Sequence, residues 1–128
     1  MDMPGAAQQV ALAAIAFEQQ RTGRLPRWAT AVMSDDTLVI TLHAALSPAE
    51  RALANSTHAA SQLQEFHRQL FKDAADSLRG EIKRITGVEV RHGTLEADMT
   101  SGTLVQVFLL ADRVPADHWS GNGRDEQF

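Results

Sequence analysis

Ser47 and Glu50 stand three residues apart in the stretch LHAALSPAERAL, Leu42 to Leu53. A hydroxyl and a carboxylate at that spacing could be a nucleophile with a helper, or the two halves of a helix start. A serine nucleophile needs a base beside it, and no histidine stands at a spacing that offers one. The order Ser47-Pro48-Ala49-Glu50 instead fits the N-cap, N1, N2 and N3 positions of a helix. Proline at N1 gives up an N–H that would have been unpaired there. The serine oxygen can accept from the N3 amide while the glutamate reaches back to the serine amide, a capping box. Ser47 and Glu50 are therefore read as a structural cap, and no residue is assigned as catalytic.

The other reactive side chains are scattered. Of the five histidines, His58 and His67 are nine residues apart, about half a turn out of phase on a helix. His43 and His92 fall on expected strands and could meet across a sheet with Asp98. Hydrogen-bonded or surface histidines are the favoured reading, so no metal and no cofactor is expected. Asp35 and Asp36 sit in a turn, where aspartate bonds its own backbone. There is no cysteine, hence no disulfide, thiolate ligand or cysteine nucleophile. No phosphate-binding loop or nucleophile elbow is present.

Arg68, Lys72, Arg79 and Lys83 form a basic line along an expected long helix, interrupted by Asp76. A solvated face accounts for such a line. Its functional counterpart is a contact for an anion or an acidic partner, joined by Arg24, Pro26 and Arg27 if the loop that holds them folds nearby. Net charge is -4, from 12 basic and 16 acidic residues, which argues against nucleic acid as a partner.

The elements that must carry these residues follow from periodicity. Ala6 to Arg21 is expected as a helix, with Val10, Ala14 and Phe17 on one face, stopped by Gly23 and Pro26. WATAVMSDDTLVITLHA, from Trp28, gives two strands around a turn at Ser34 to Asp36. Thr57 to Thr86 is expected as one long helix closed by Gly87, with a stripe of Leu63, Phe66, Leu70, Ala74, Leu78, Ile82 and Ile85, and with Phe71 off it. VEVRHGTLEA and TLVQVFLL form a second hairpin, Gly93 marking a bend. The last strand is apolar on both faces, the pattern of a central strand covered on both sides.

The expected fold is therefore α+β, in the order α-β-β-α-α-β-β: two layers, a four-stranded antiparallel sheet from two hairpins packed on one long helix. Residues 1–119 form a single domain and 120–128 a flexible tail. The first helix or a second subunit must cover the other sheet face, and the doubly apolar last strand favours a homodimer or larger homo-oligomer. No stretch reaches the roughly 18 apolar residues of a membrane span, and Val10 to Phe17 lacks the basic lead of a signal sequence. The expectation is a cytoplasmic protein with no direct membrane insertion.

Three segments together carry a family resemblance: GRLPRWATAVMSDDTLVITLHAALSPAE, the helix end EIKRITGVEV, and ADMTSGTLVQVFLL. In order and spacing they resemble the small bacterial MpsC-type domain, over about Val10 to Leu110. The shared frame is a glycine-basic-x-proline lead-in, a hairpin, a Ser/Thr-Pro-x-Glu helix start, a threonine-glycine helix stop and a last strand ending in phenylalanine and leucine. Two positions depart from it: Leu25 stands where the family usually has glycine, and Ser47 where it usually has threonine. The first changes a loop that could approach a ligand; the second keeps the cap chemistry. The family is named for a sodium-translocating, membrane-potential-generating system. The resemblance implies association with a cation- or inorganic-carbon-linked transport system, and hence a membrane transport protein as partner. The function expected is a non-enzymatic, self-associating accessory or regulatory module. The alternative is a domain that senses a small anion or metabolite.

Overall fold

The computed structural model describes residues 5–115, 118–119 and 123–126. The chain runs α1 (Ala6–Thr22), β1 (Trp28–Ser34), β2 (Thr37–His43), α2 (Pro48–Ala52), a single 3-10 turn (Leu53–Asn55), α3 (Thr57–Thr86), β3 (Val90–Asp98), β4 (Thr103–Leu110) and β5 (Gly123–Glu126). The two expected hairpins are β1–β2 and β3–β4, and β2 joins them by pairing with β4, so the four strands form one antiparallel sheet. Within the segment expected as a tail, β5 adds a fifth strand on the outer edge of β1, giving the order β3-β4-β2-β1-β5. Residues 120–122 and 127–128 lie outside the described residues.

The long helix begins and ends on local chemistry. Ser56 Oγ accepts from the Ala59 amide at 3.3 Å, supplying the N-cap. Gly87, at φ 78°, closes the last turn in the left-handed region and donates to the Lys83 carbonyl. At 30 residues, α3 is about 45 Å long.

Burial alternates along β2 and β4, and only one face is closed. Leu38, Ile40 and Leu42 of β2 and Leu104, Phe108 and Leu110 of β4 are buried under both helices. Phe71 of α3 stands between Phe17 of α1, at 6.2 Å, and Phe108 of β4, at 5.8 Å, so α1 packs beside α3 on the same face. Gly93 makes room for this stack, because a Cβ there would lie 2.9 Å from the Phe108 ring.

Two expectations change. The first helix does not cover the second face; Val39, Val105, Val107 and Leu109 stay half-exposed there and Val32 is 42% exposed, so β4 is interior but covered on one side only. The buried stripe of α3 is also rotated from the expected one: it consists of His67, Phe71, Ala75, Leu78, Ile82 and Thr86. Phe71 is core, whereas Phe66 is 55% exposed and Ala74 is exposed. Two apolar series one residue apart run along this half of the helix, and the partner rings Phe17 and Phe108 decide which faces inward.

Candidate functional site

The only two charged residues of α1 are Glu18 and Arg21, one turn apart near its end. On a helix that packs against both α3 and β1, both are buried: Glu18 side chain 0% exposed, Arg21 2%. Arg21 Nη2 donates to Glu18 Oε1, and the guanidinium carbon lies 5.8 Å from the Phe17 ring centroid, a cation–π contact. Arg21 Nε and Nη1 have no hydrogen-bond partner among the described residues. Gly23, at φ 78°, turns the chain out of the helix, and Arg24 follows with its Nε also buried and unpaired.

The capping box of α2 meets this cluster. Ser47 Oγ accepts from the Glu50 amide at 3.1 Å, and Glu50 Oε1 accepts from the Ser47 amide at 3.0 Å. The second carboxylate oxygen, Oε2, lies 2.7 Å from Nε2 of His67, whose side chain is 2% exposed. Burial pushes the Glu50 carboxyl up, but the Ser47 amide and the His67 ring outweigh it and hold the group below the usual carboxylate range. With an ionised carboxylate on Nε2, that nitrogen carries the proton and Nδ1 faces away; Nδ1 too is buried without a partner. The histidine thus engages the carboxylate and not the serine hydroxyl, so Ser47 lacks the base a nucleophile requires.

These groups surround a cavity of about 450 Å³ at the junction of α1, α2 and α3. Arg21 and Arg24 form part of its wall, Glu50 and His67 another, and Phe66 and Leu70 give it an apolar side. Arg24, from the predicted set, is therefore here, together with both cap residues. Pro26 is buried and Arg27 is exposed; neither lines the cavity.

The basic line is elsewhere. Arg68, Lys72 and Arg79 border a separate groove of about 430 Å³ against β3. Residues 66 and 70 are each two positions from 68 and 72, about 200° around the helix, so cavity and groove occupy opposite flanks of α3. Arg68 is held by Glu96 at 2.7 Å and Glu65 at 3.4 Å, and Lys83 by Glu89 at 2.6 Å. Arg24 and the basic line do not form one surface.

His43 and His92 do not meet. His43 stacks on Trp28, centroids 3.6 Å apart, while His92 pairs in register with Leu109 at the other end of the sheet and β4 intervenes. Among the described residues no group of three or more His, Cys, Asp or Glu could hold a metal ion. Sequence reasoning missed Glu18, Arg21 and His67. The signal available was a lone charge pair in an otherwise uncharged helix.

The chain matches the family model for the Na+-translocating membrane potential-generating system (MpsC) over residues 6–112, and it belongs to that family. No curated protein and no solved structure matches it. Among the described residues no helix is long and apolar enough to cross a membrane.

Proposed function

We propose that this member of the MpsC family is a non-enzymatic, self-associating accessory module of a Na+-linked membrane-potential-generating system, acting from the cytoplasmic side by docking. The observation that carries the reading is the open face of the sheet. Val32, Val39, Val105, Val107 and Leu109 stand there half-exposed or exposed on three adjacent strands, with Thr30 and Thr41 beside them. A contiguous apolar sheet face of this kind is the feature that a second sheet covers, at about 10 Å spacing. A second copy brings the same valines to meet it, as a two-fold interface requires. The family supplies the system, and a chain with no membrane-crossing helix among its described residues would reach that system through a membrane-embedded partner. Of the basic line, Lys72 and Arg79 have no carboxylate bonded to them among the described residues and are the charges an acidic partner would engage.

The test is light scattering on the purified protein at micromolar concentration, together with affinity capture from the source organism in mild detergent. A dimer or larger species and recovery of integral membrane subunits are expected. A monomer, or capture of soluble proteins alone, would defeat the reading. A second reading, a domain that senses a small anion or metabolite, is favoured by the unpaired buried donors of the α1–α2–α3 cavity.

A further inference from the structure

We propose that the cavity at the junction of α1, α2 and α3 binds a small organic monocarboxylate, its head group on Arg21 and Arg24 and its apolar body along Phe66 and Leu70. The inference gives a ligand class to the sensing reading and does not depend on the docking reading.

The donor inventory comes first. A buried N–H without a partner is costly, so native proteins rarely leave several together unless something completes them. Here Arg21 Nε, Arg21 Nη1 and Arg24 Nε are all buried and unpaired, three donors against the one unpaired acceptor of the same ion pair, Glu18 Oε2, and both arginines line one cavity. Glu18 anchors Arg21 through Nη2 from within α1, and Phe17 holds the guanidinium, so the side chain is fixed before any ligand arrives. With Nη2 on Glu18, Arg21 keeps Nε and Nη1 on different edges of its guanidinium, so a carboxylate takes single N–H bonds from Arg21 and Arg24 in place of one two-pronged pair.

Charge decides between one negative charge and two. Arg21 and Arg24 contribute two positive charges; Glu18 and Glu50 contribute two negative ones. These four charges sum to zero. A monoanion then adds a single charge that two arginines can share, whereas a dianion leaves a net charge of -2 in a partly dry site.

The walls specify the rest of the molecule. About 450 Å³ lies within the usual range of small-molecule sites. Phe66 is 55% exposed, a large apolar ring that a ligand body would cover, and Leu70 beside it is half-buried. An inorganic oxyanion would satisfy the arginines and leave this apolar side bare.

The full chain is titrated calorimetrically with benzoate and hexanoate, and in parallel with benzyl alcohol and inorganic phosphate. At least one carboxylate is expected to bind more than tenfold tighter than either benzyl alcohol or phosphate. Arg24→Gln, which leaves the buried Glu18–Arg21 pair intact, is expected to weaken that carboxylate at least tenfold while keeping the wild-type circular dichroism. Leu70→Trp, which fills the apolar side, is expected to do the same, and provides the readout if Arg24→Gln does not fold. Absence of carboxylate binding, phosphate or benzyl alcohol binding as tight as the carboxylates, or unchanged affinity in a folded variant would each overturn the proposal. None of these results bears on the oligomer or on the captured partners, so failure of this proposal and failure of the docking reading are separable.

Discussion

Glu18→Gln keeps the shape of a side chain that is 0% exposed and removes its charge. The Arg21 guanidinium, 2% exposed, then has no anionic partner in its own helix. Breaking a buried pair by removing one member costs about 3–5 kcal/mol, because the remaining charge is desolvated and uncompensated. Glutamine keeps one carbonyl oxygen that can accept from Arg21, and the Phe17 ring at 5.8 Å stays in place. Both retained contacts put the cost at the low end of that range, ~3 kcal/mol. With a urea dependence of roughly 1.5 kcal/mol per molar, the unfolding midpoint should fall by ~2 M. The assay is urea unfolding at neutral pH followed by far-UV circular dichroism. A companion double variant, Glu18→Leu with Arg21→Met, removes both charges and should come back to within ~1 kcal/mol of wild type, since a well-packed apolar pair can replace a buried ionic one. A Glu18→Gln loss of under about 0.5 kcal/mol, the scale of an ordinary surface change, would refute the reasoning. Arg21 would then be solvated through the cavity, and its free N–H groups would not be poised for a ligand.

Two further outcomes follow from buried polar groups. Gln106, on β4 opposite Ile40 and Leu95, is 0% exposed and neither amide atom has a partner among the described residues, so Gln106→Leu should stabilise the fold by ~1–2 kcal/mol in the same unfolding assay; a loss of stability would mean that the amide is bonded. Glu50 has a folded pKa held below its ordinary value despite burial, by the Ser47 amide and His67. A depressed carboxyl contributes stability that is fully present above the unfolded pKa of about 4.3 and is lost as pH falls through the folded value. Glu50→Gln should therefore cost ~1 kcal/mol at neutral pH, the scale of a lost cap, with the gap to wild type closing as pH drops from ~5 towards ~3. A gap that is constant across that series would disprove the linkage.

What the sequence makes legible divides by the distance over which each signal acts. The bounds of α3 are readable because Ser56 and Gly87 act within one turn, and the hairpins because alternation and turn residues are local. The pairing of Gly123–Glu126 with β1 is not, since GRDE shows no alternation and its partner strand lies far back in the chain. The face that α3 buries is ambiguous for a related reason. Leu63, Phe66, Leu70 and Ala74 make as good a stripe as His67, Phe71 and Ala75, and a histidine weighs against the second series on any hydropathy argument. Only the Phe17–Phe71–Phe108 stack selects between them. That one rotation decides the site. It carries His67 inward onto Glu50, turning a local cap into part of a cavity wall, and leaves Phe66 and Leu70 outside the core as that cavity's apolar side. It also separates Arg24 from Arg68 and Lys72, which sequence reasoning joined into one basic surface, by placing them on opposite flanks of α3. A half-buried arginine whose Nε stays unpaired in a cavity wall shared with an exposed phenylalanine differs physically from one already neutralised by Glu96 at the sheet edge. The first retains donors for a ligand, whereas the second has spent its own on the protein.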